Sequence, residues 1–416
     1  MAVFAAATLM AVLGVGTPPH GVPMDTLALP SAIALARAAN PRLRAERLRA
    51  RASAERIPQA GAWPNPELGF GLENRPLSNF GTEEMMTMNT FRLSQVVPWP
   101  GKQSLGRDGA RGLAAADSLD ADEADAMLVA QVKTSYYRIA STDRSLDVMR
   151  ETLTLLRHFQ ETSLARFSVG ETVQQDVLQA EVNVARMEAD IAAMEQERLA
   201  EAARFNALLA RDPASPLGVL LLPPMGGALP TVDSLARLAA ARPALAAADA
   251  RVTAAAASVA AARKELWPDL MLSVEYGQRP RYDDMLSLMV GVSVPVFSGS
   301  RQQPMRREME AMQAMREADA RDLLNETWAR LAEMRAMTER ARRLDGLYAS
   351  RILPQAEASV ESALSAYLVG EVDFMTLVES RMTVNRYAIE RIRLTADYHI
   401  ALAEIVTLLG GQEVTP

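Results

Sequence analysis

A segment near the middle of the chain returns near its end. VGETVQQDVLQA at 169–180 is answered by VGEVDFMTLVES at 369–380, each after an aromatic residue, Phe167 or Tyr367. Leu208 and Leu209 recur at the same separation as Leu408 and Leu409. Upstream, NPRL at 40–43 matches RPAL at 242–245, and AWPNPELGFG at 62–71 matches LWPDLMLSVEYG at 266–277. Such a repeat requires two similar bodies, and its period is too long for a solenoid unit. The copies run approximately 26–211 and 231–411, joined by DPASPLGVLLLPPMGGALP at 212–230, whose Pro and Gly mark a boundary.

The order of elements within each copy follows from periodicity. An opening helix of about three dozen residues is expected to end at Trp63-Pro64 or Trp267-Pro268, because proline blocks helical continuation. A hairpin follows, at about 66–97 and 268–296. In the second, Leu270, Leu272, Val274 and Tyr276 alternate with Met271, Ser273, Glu275 and Gly277. Leu288, Val290, Val292, Val294 and Val296 then alternate with Met289, Gly291 and Ser293. Strict period two gives one apolar face and one polar or small face. In the first copy, Leu68, Phe70 and Leu72 alternate with Glu67, Gly69, Gly71 and Glu73, and 86–97 is a rougher partner carrying Arg92. Strands of about 9 to 11 residues are long enough to cross a bilayer when tilted, although a soluble sandwich shows the same alternation.

Long helices are expected over 103–167 and 305–368, where Pro354 is the single interior proline. Ile139, Leu146 and Leu153 are heptad-spaced, as are Thr142, Met149 and Leu156. Some 65 residues of helix reach roughly 95 Å, far beyond a globular domain. Gly170 and Gly370 end these helices, since a residue without Cβ adopts the left-handed conformation readily. Return helices then occupy 172–211 and 372–409. The opening helix is of a length to make up the difference between outgoing and return helices, so stacked pairs give a wall of uniform height.

Composition narrows the environment. Aromatics are only 5% of 416 residues, a bias toward long helices over thick cores. The net charge of −7 comes from interleaved acids and bases, which leaves no basic footprint for nucleic acid. With no cysteine, disulfides, thiolate metal sites and a lipid-modified N-terminal Cys are excluded. Residues 1–23 begin with an uncharged apolar run followed by Pro, Gly and His, and read as a signal peptide for export, the alternative being a disordered N-terminus. No other stretch approaches the roughly 20 consecutive apolar residues of a membrane helix. Four strands per chain cannot close a membrane barrel, because the smallest need about eight and an open edge in lipid leaves backbone groups unpaired. Closure therefore requires other subunits, and three copies supply a 12-stranded barrel over a ring of helical columns.

The order helix, Trp-Pro, hairpin, long helix, VGE turn and return helix, given twice with DVLQAEV at 176–182 after the first turn, resembles the outer membrane efflux protein family, the TolC-like channels. The resemblance implies a mainly α fold with a membrane β-barrel, a homotrimer in outer-membrane lipid, and a helical tunnel across the periplasm. It also implies docking to a periplasmic adaptor (membrane fusion) protein bound to an inner-membrane efflux pump, with no enzyme activity and no cofactor. VVPWPGKQ at 96–103 and VPVFSGSRQ at 294–302 are similar to the strand-to-helix junction of the heavy-metal cation branch, against drug or other small-molecule efflux. The same resemblance places adaptor docking at the periplasmic tip, on Val169, Gly170, Val369 and Gly370. It places a gate there too, tying Tyr367 to Asp176. The family's further basic and acidic positions fall on Val372, Thr376 and Glu379, so Glu371, Asp373 and Glu379 remain as candidates for the charged constriction.

Simpler readings compete at each position. Met305, Met309, Met312 and Met315 suit a soft-metal relay, but a Met stripe at helical spacing more often packs helices. Asp176 also suits the positive end of a helix. His158 and His399 lack ligand-spaced partners, and no nucleophile elbow, phosphate loop or zinc spacing is present. The rival from another class is a periplasmic coiled-coil scaffold or adaptor protein without a membrane barrel.

Overall fold

The structure is a computed structural model that describes residues 27–77 and 80–413. The expected signal peptide and His20 lie outside the described residues.

The chain opens with α1 (Leu29–Ala39), α2 (Pro41–Ala54) and the short α3 (Arg56–Ala60). A hairpin of β1 (Glu67–Glu73) and β2 (Met88–Val97) leads into α4 (Lys102–Ser168), which turns into α5 (Gln174–Leu208). The series then runs again as α6 (Val232–Ala239), α7 (Pro243–Lys264), β3 (Asp269–Gln278) and β4 (Met285–Ser293). Next come α8 (Gln302–Leu347), a π turn (Tyr348–Ile352), α9 (Leu353–Leu368) and α10 (Phe374–Leu408).

Four expectations need correction. The opening helix of each copy is not continuous: it breaks at Asn40-Pro41 and Arg242-Pro243, the very tetrapeptides that repeat. Proline cannot donate an N–H and holds the preceding residue extended, so it starts a new helix. Asn40 and Arg242 have ψ of 120° and 127°, and the Asn40 side chain caps α2 by accepting from the Arg42 and Leu43 amides. The opening helices also stop at Ala60 and Lys264, before the Trp-Pro pairs. The last strand ends at Ser293 instead of Val296, because Pro295 has no amide for the ladder. Finally, the second long helix is interrupted by the π turn, where the Leu353 amide reaches back to the Tyr348 carbonyl. Pro354 follows directly, so its missing N–H falls in the first turn of a new helix, where no partner is required.

α4 is the central pillar. Its 67 residues extend about 100 Å. Its upper half packs between α2 and α7, and its lower half between α5 and α10. Towards the tip, Leu146, Met149 and Leu156 bury against Ala180, Val184, Phe374, Leu377 and Val378. Higher up, Val132, Tyr136 and Ile139 bury against Ala32, Ala36, Leu43 and Phe205. The connection over 212–230 is strapped across this wall: Leu220 is buried, the Tyr136 hydroxyl accepts from the Leu221 amide at 3.1 Å, and His399 Nε2 lies 2.9 Å from the Pro223 carbonyl. Burial holds the His399 pKa below its ordinary value. The neutral ring, stacked on Tyr137 at 4.9 Å, can then donate to that carbonyl.

Candidate functional site

The four strands form one antiparallel sheet in the order β1-β2-β3-β4. Directly opposed residues share a face, so the register defines rows across the sheet. One row is Phe70, Phe91, Tyr276 and Leu286; the next is Leu68, Leu93, Val274 and Leu288. All eight side chains are exposed, as are Leu72, Leu272, Val290 and Val292 on the same face. The alternate rows are Gly69, Arg92, Glu275 and Ser287, and Glu67, Ser94, Ser273 and Met289. Here the Arg92 Nε donates to Glu275 at 2.6 Å, and its guanidinium lies 3.8 Å from Glu73. A mainly apolar face, interrupted by Asn89, Gln278 and Gln95 and left open while charges pair on the other, suits a sheet whose outside is hydrocarbon and whose inside is water.

The junction beneath the sheet is rigid. Trp99 stacks on Trp267 with ring centroids 5.1 Å apart. Asp269 accepts the Trp99 amide at 2.8 Å and pairs with Lys102 at 2.9 Å, while Glu265 takes Lys102 at 3.3 Å. Strand and helix are thereby clamped at the start of α4, where rings that are half apolar suit a membrane boundary.

At the far end both glycines adopt the left-handed conformation, with φ of +79° at Gly170 and +78° at Gly370. The closing bonds are the same in each turn. Gly170 and Glu171 amides reach the Phe167 and Arg166 carbonyls at 3.0 and 2.9 Å, and Gly370 and Glu371 reach Tyr367 and Ala366 at 3.1 and 2.9 Å. A Cβ at either glycine would have no atom within 4 Å, so backbone conformation alone selects glycine here. Val169 and Val369 stand exposed beside them.

Within one chain, Tyr367 and Asp176 do not bond each other. Tyr367 is buried, but its hydroxyl has no hydrogen-bond partner, and the Asp176 carboxylate instead accepts the Thr172 hydroxyl. Tyr367 is held by Arg166, whose guanidinium lies 4.9 Å from the ring centroid and donates to the Tyr367 carbonyl at 2.9 Å. Glu171 pairs with the same guanidinium at 3.4 Å. Arg166 thus joins the two tips, and sequence reasoning passed over it. The available signal was that the residue before the aromatic is Arg166 in one copy and Ala366 in the other. Asp373 caps α10, accepting the Thr376 amide at 3.0 Å and the Thr376 hydroxyl, and these bonds hold its pKa below the ordinary carboxylate value. Glu371 and Glu379 are exposed, Glu379 on the groove between α9 and α10. Among the described residues, no three His, Asp or Glu side chains converge as a metal site.

Comparison with known proteins agrees with this architecture. The model of the outer membrane efflux protein family matches residues 32–211 and again 235–411. The pyoverdine export outer membrane protein OpmQ of Pseudomonas putida is 24% identical over 405 residues, covering 89% of this chain and 83% of that one. The fold is similar to that of CusC, with a TM-score of 0.79 at 16% identity and 93% coverage of both chains. It is also similar to that of VceC from Vibrio cholerae, with a TM-score of 0.77 at 19% identity, covering 92% of this chain and 96% of that one. With both halves matched, the chain belongs to the outer membrane efflux protein family, and its place is the outer membrane with its helices reaching into the periplasm.

Proposed function

We infer that this chain is the outer-membrane duct of a tripartite pump, in which three copies close a twelve-stranded barrel and a continuous helical tunnel. The observation that carries this is the open four-stranded sheet with an exposed, mainly apolar face and charged residues paired on the other. In water such a face is an aggregation surface, and in lipid the unpaired edges are tolerable only when other strands complete them. A coiled-coil scaffold has no use for such a sheet. The tips at Val169, Gly170, Val369 and Gly370 are the helical ends farthest from the sheet, and their exposed apolar surface suits the hairpin of a periplasmic adaptor. That adaptor connects the duct to an inner-membrane pump, which selects the cargo, whether heavy-metal cation or other small molecule. Tyr367, Asp176, Glu371, Asp373 and Glu379 surround the exit from that pump and form the gate and constriction.

The test compares neighbouring positions on opposite faces of β4. Val292→Arg places a charge in hydrocarbon and costs about 2 to 4 kcal/mol near the bilayer midplane, lowering the yield of folded oligomer. Gly291→Arg points into the lumen and changes conductance in a planar bilayer with little loss of assembly. Equal loss of assembly at both positions overturns the barrel.

A further inference from the structure

We propose that the seam between copies runs between α2 of one chain and α8 of the next, with Arg49 of one copy pairing with Asp319 of the other. The proposal rests on the assembly of several copies argued above and specifies where they touch.

It follows from the internal repeat. α2 corresponds to α7, since Asn40-Pro41 and Arg242-Pro243 open them and Leu43 and Leu245 are buried alike. α4 corresponds to α8, with buried Leu128, Val132, Ser135 and Ile139 answered by buried Thr327, Leu331, Met334 and Thr338. Each copy packs its own opening helix on its own long helix, α2 on α4 and α7 on α8. α4 has a second flank, and that flank receives α7 of the other copy. There Gly112 lies against Ala254 and Ala250 so closely that a Cβ would sit 2.8 Å from that of Ala254. Below it, Asp120 binds Arg251, and Glu123 takes Arg242 at 2.5 Å.

The counterparts of the Gly112 and Asp120 contacts lie apart within the chain, whereas Arg242 is replaced by Asn40, so only the Asp120–Arg251 pair has a charged equivalent; within the chain Arg49 lies 3.8 Å from Asp117 and Asp319 lies 3.4 Å from Arg316. On α8, Gly112, Asp120 and Glu123 become Ala311, Asp319 and Asp322, each exposed. On α2, Ala250, Arg251 and Ala254 become Leu48, Arg49 and Ala52, also exposed, although Ala254 itself is only 3% exposed. The acid falls on α8 and the base on α2, as on α4 and α7. Two copies of the chain therefore offer each other the equivalent ion pair and a wider helix contact, because Ala311 carries the Cβ that Gly112 lacks and Leu48 replaces Ala250. The exposed Met315 stands where α4 has the buried Ala116, which makes the methionine stripe the packing surface of this seam. The vacancy continues toward the tip: Val378 of α10 is 1% exposed against α4, whereas its counterpart Leu178 on α5 is 52% exposed.

The chain has no native cysteine, so a paired substitution reports without background. Ala52→Cys with Ala311→Cys, in the full chain extracted in detergent and oxidised, is expected to give covalent dimers and trimers, while either change alone gives monomers on a denaturing gel. Arg49→Asp and Asp319→Arg should each weaken assembly about tenfold, and the double exchange should restore it, the signature of a direct pair. Met315→Leu should leave the covalent ladder intact, because it keeps volume and loses only sulfur. Oligomers of native mass that do not cross-link at these positions, or charge reversals that do not compensate, overturn the seam and leave the duct standing. A detergent-extracted chain that is monomeric by native mass overturns both.

Discussion

The two outgoing helical arms have equal length and opposite character. α4 is unbroken and buries residues along its whole course, from Gly109 to Ser163. α8 and α9 together bury only Thr327, Leu331, Met334, Thr338, Ala341, Ala363 and Tyr367, and a π turn divides them. Helix propensity does not separate them. α4 has neighbours on both flanks within its own chain, whereas α8 and α9 have a neighbour on one flank only. Burial on a long helix is set by what lies beside it, and in a repeated chain the second copy stands at the edge of the protomer.

The largest test of that contrast lies at corresponding acids. Glu123 is nearly buried and bonds Arg242, which also donates to Thr327 at 2.9 Å. Glu123→Ala leaves a buried guanidinium uncompensated and should destabilise by about 3 to 5 kcal/mol in denaturant unfolding. Asp322→Ala, at the exposed counterpart, should change protomer stability by less than about 0.5 kcal/mol. Comparable losses at the two sites break the comparison. Next in size is Gly112→Val, which forces α7 away from α4 and should cost about 1 to 3 kcal/mol, against no measurable change in the protomer for Ala311→Val.

The fold class was legible because its signals are periodic. Strand alternation and the glycine turns do not depend on knowing the neighbours. The breaks at Pro41 and Pro243 are equally visible, since the residue before a proline avoids the helical region, but the matching tetrapeptides also mark the repeat, and that signal masks the break. The π turn left no such mark, because a π turn is a matter of register. Val132 matches Leu331 above it, whereas Ser163 matches Ala363 below it, so between these positions the second arm carries one additional residue that only burial discloses. The gate was least legible. A tyrosine and an aspartate at promising positions do not fix partners, and Thr172, four residues before Asp176, occupies that carboxylate first.

The tips sharpen the contrast at smaller cost. Arg166 on the rigid arm holds Tyr367 on the divided one through ring and carbonyl, a contact worth about 0.5 to 2 kcal/mol from the cation over the ring. Arg166→Gln should therefore raise the conductance of the assembled channel in a planar bilayer. Tyr367→Phe should leave it near that of the unmodified protein, because the lost hydroxyl makes no bond in the protomer. If Tyr367→Phe opens the channel as far as Arg166→Gln, the hydroxyl finds Asp176 on another copy and the gate is tied between chains.

The smallest effect in stability concerns the π turn itself. Its extra residue is accommodated on an exposed stretch, with Ser350 donating to the Gly346 carbonyl at 2.7 Å and Tyr348 contacting Tyr387 of α10 at 5.7 Å between ring centroids. The arm below it is packed mainly through Ala363 and Tyr367, so the π turn is the place where α9 can pivot without disturbing α8. Deleting Ser350 together with Pro354→Ala removes both the extra residue and the ring that cannot sit inside a continuous helix. The arm should then run straight as α4 does, with amides at 344–356 better protected from hydrogen exchange and unfolding stability altered by no more than about 1 kcal/mol. Channel opening should become rarer while assembly is unchanged, because only the pivot is lost. If protection rises and opening is unaffected, the difference between the arms belongs to packing alone, and the gate moves without bending at this turn.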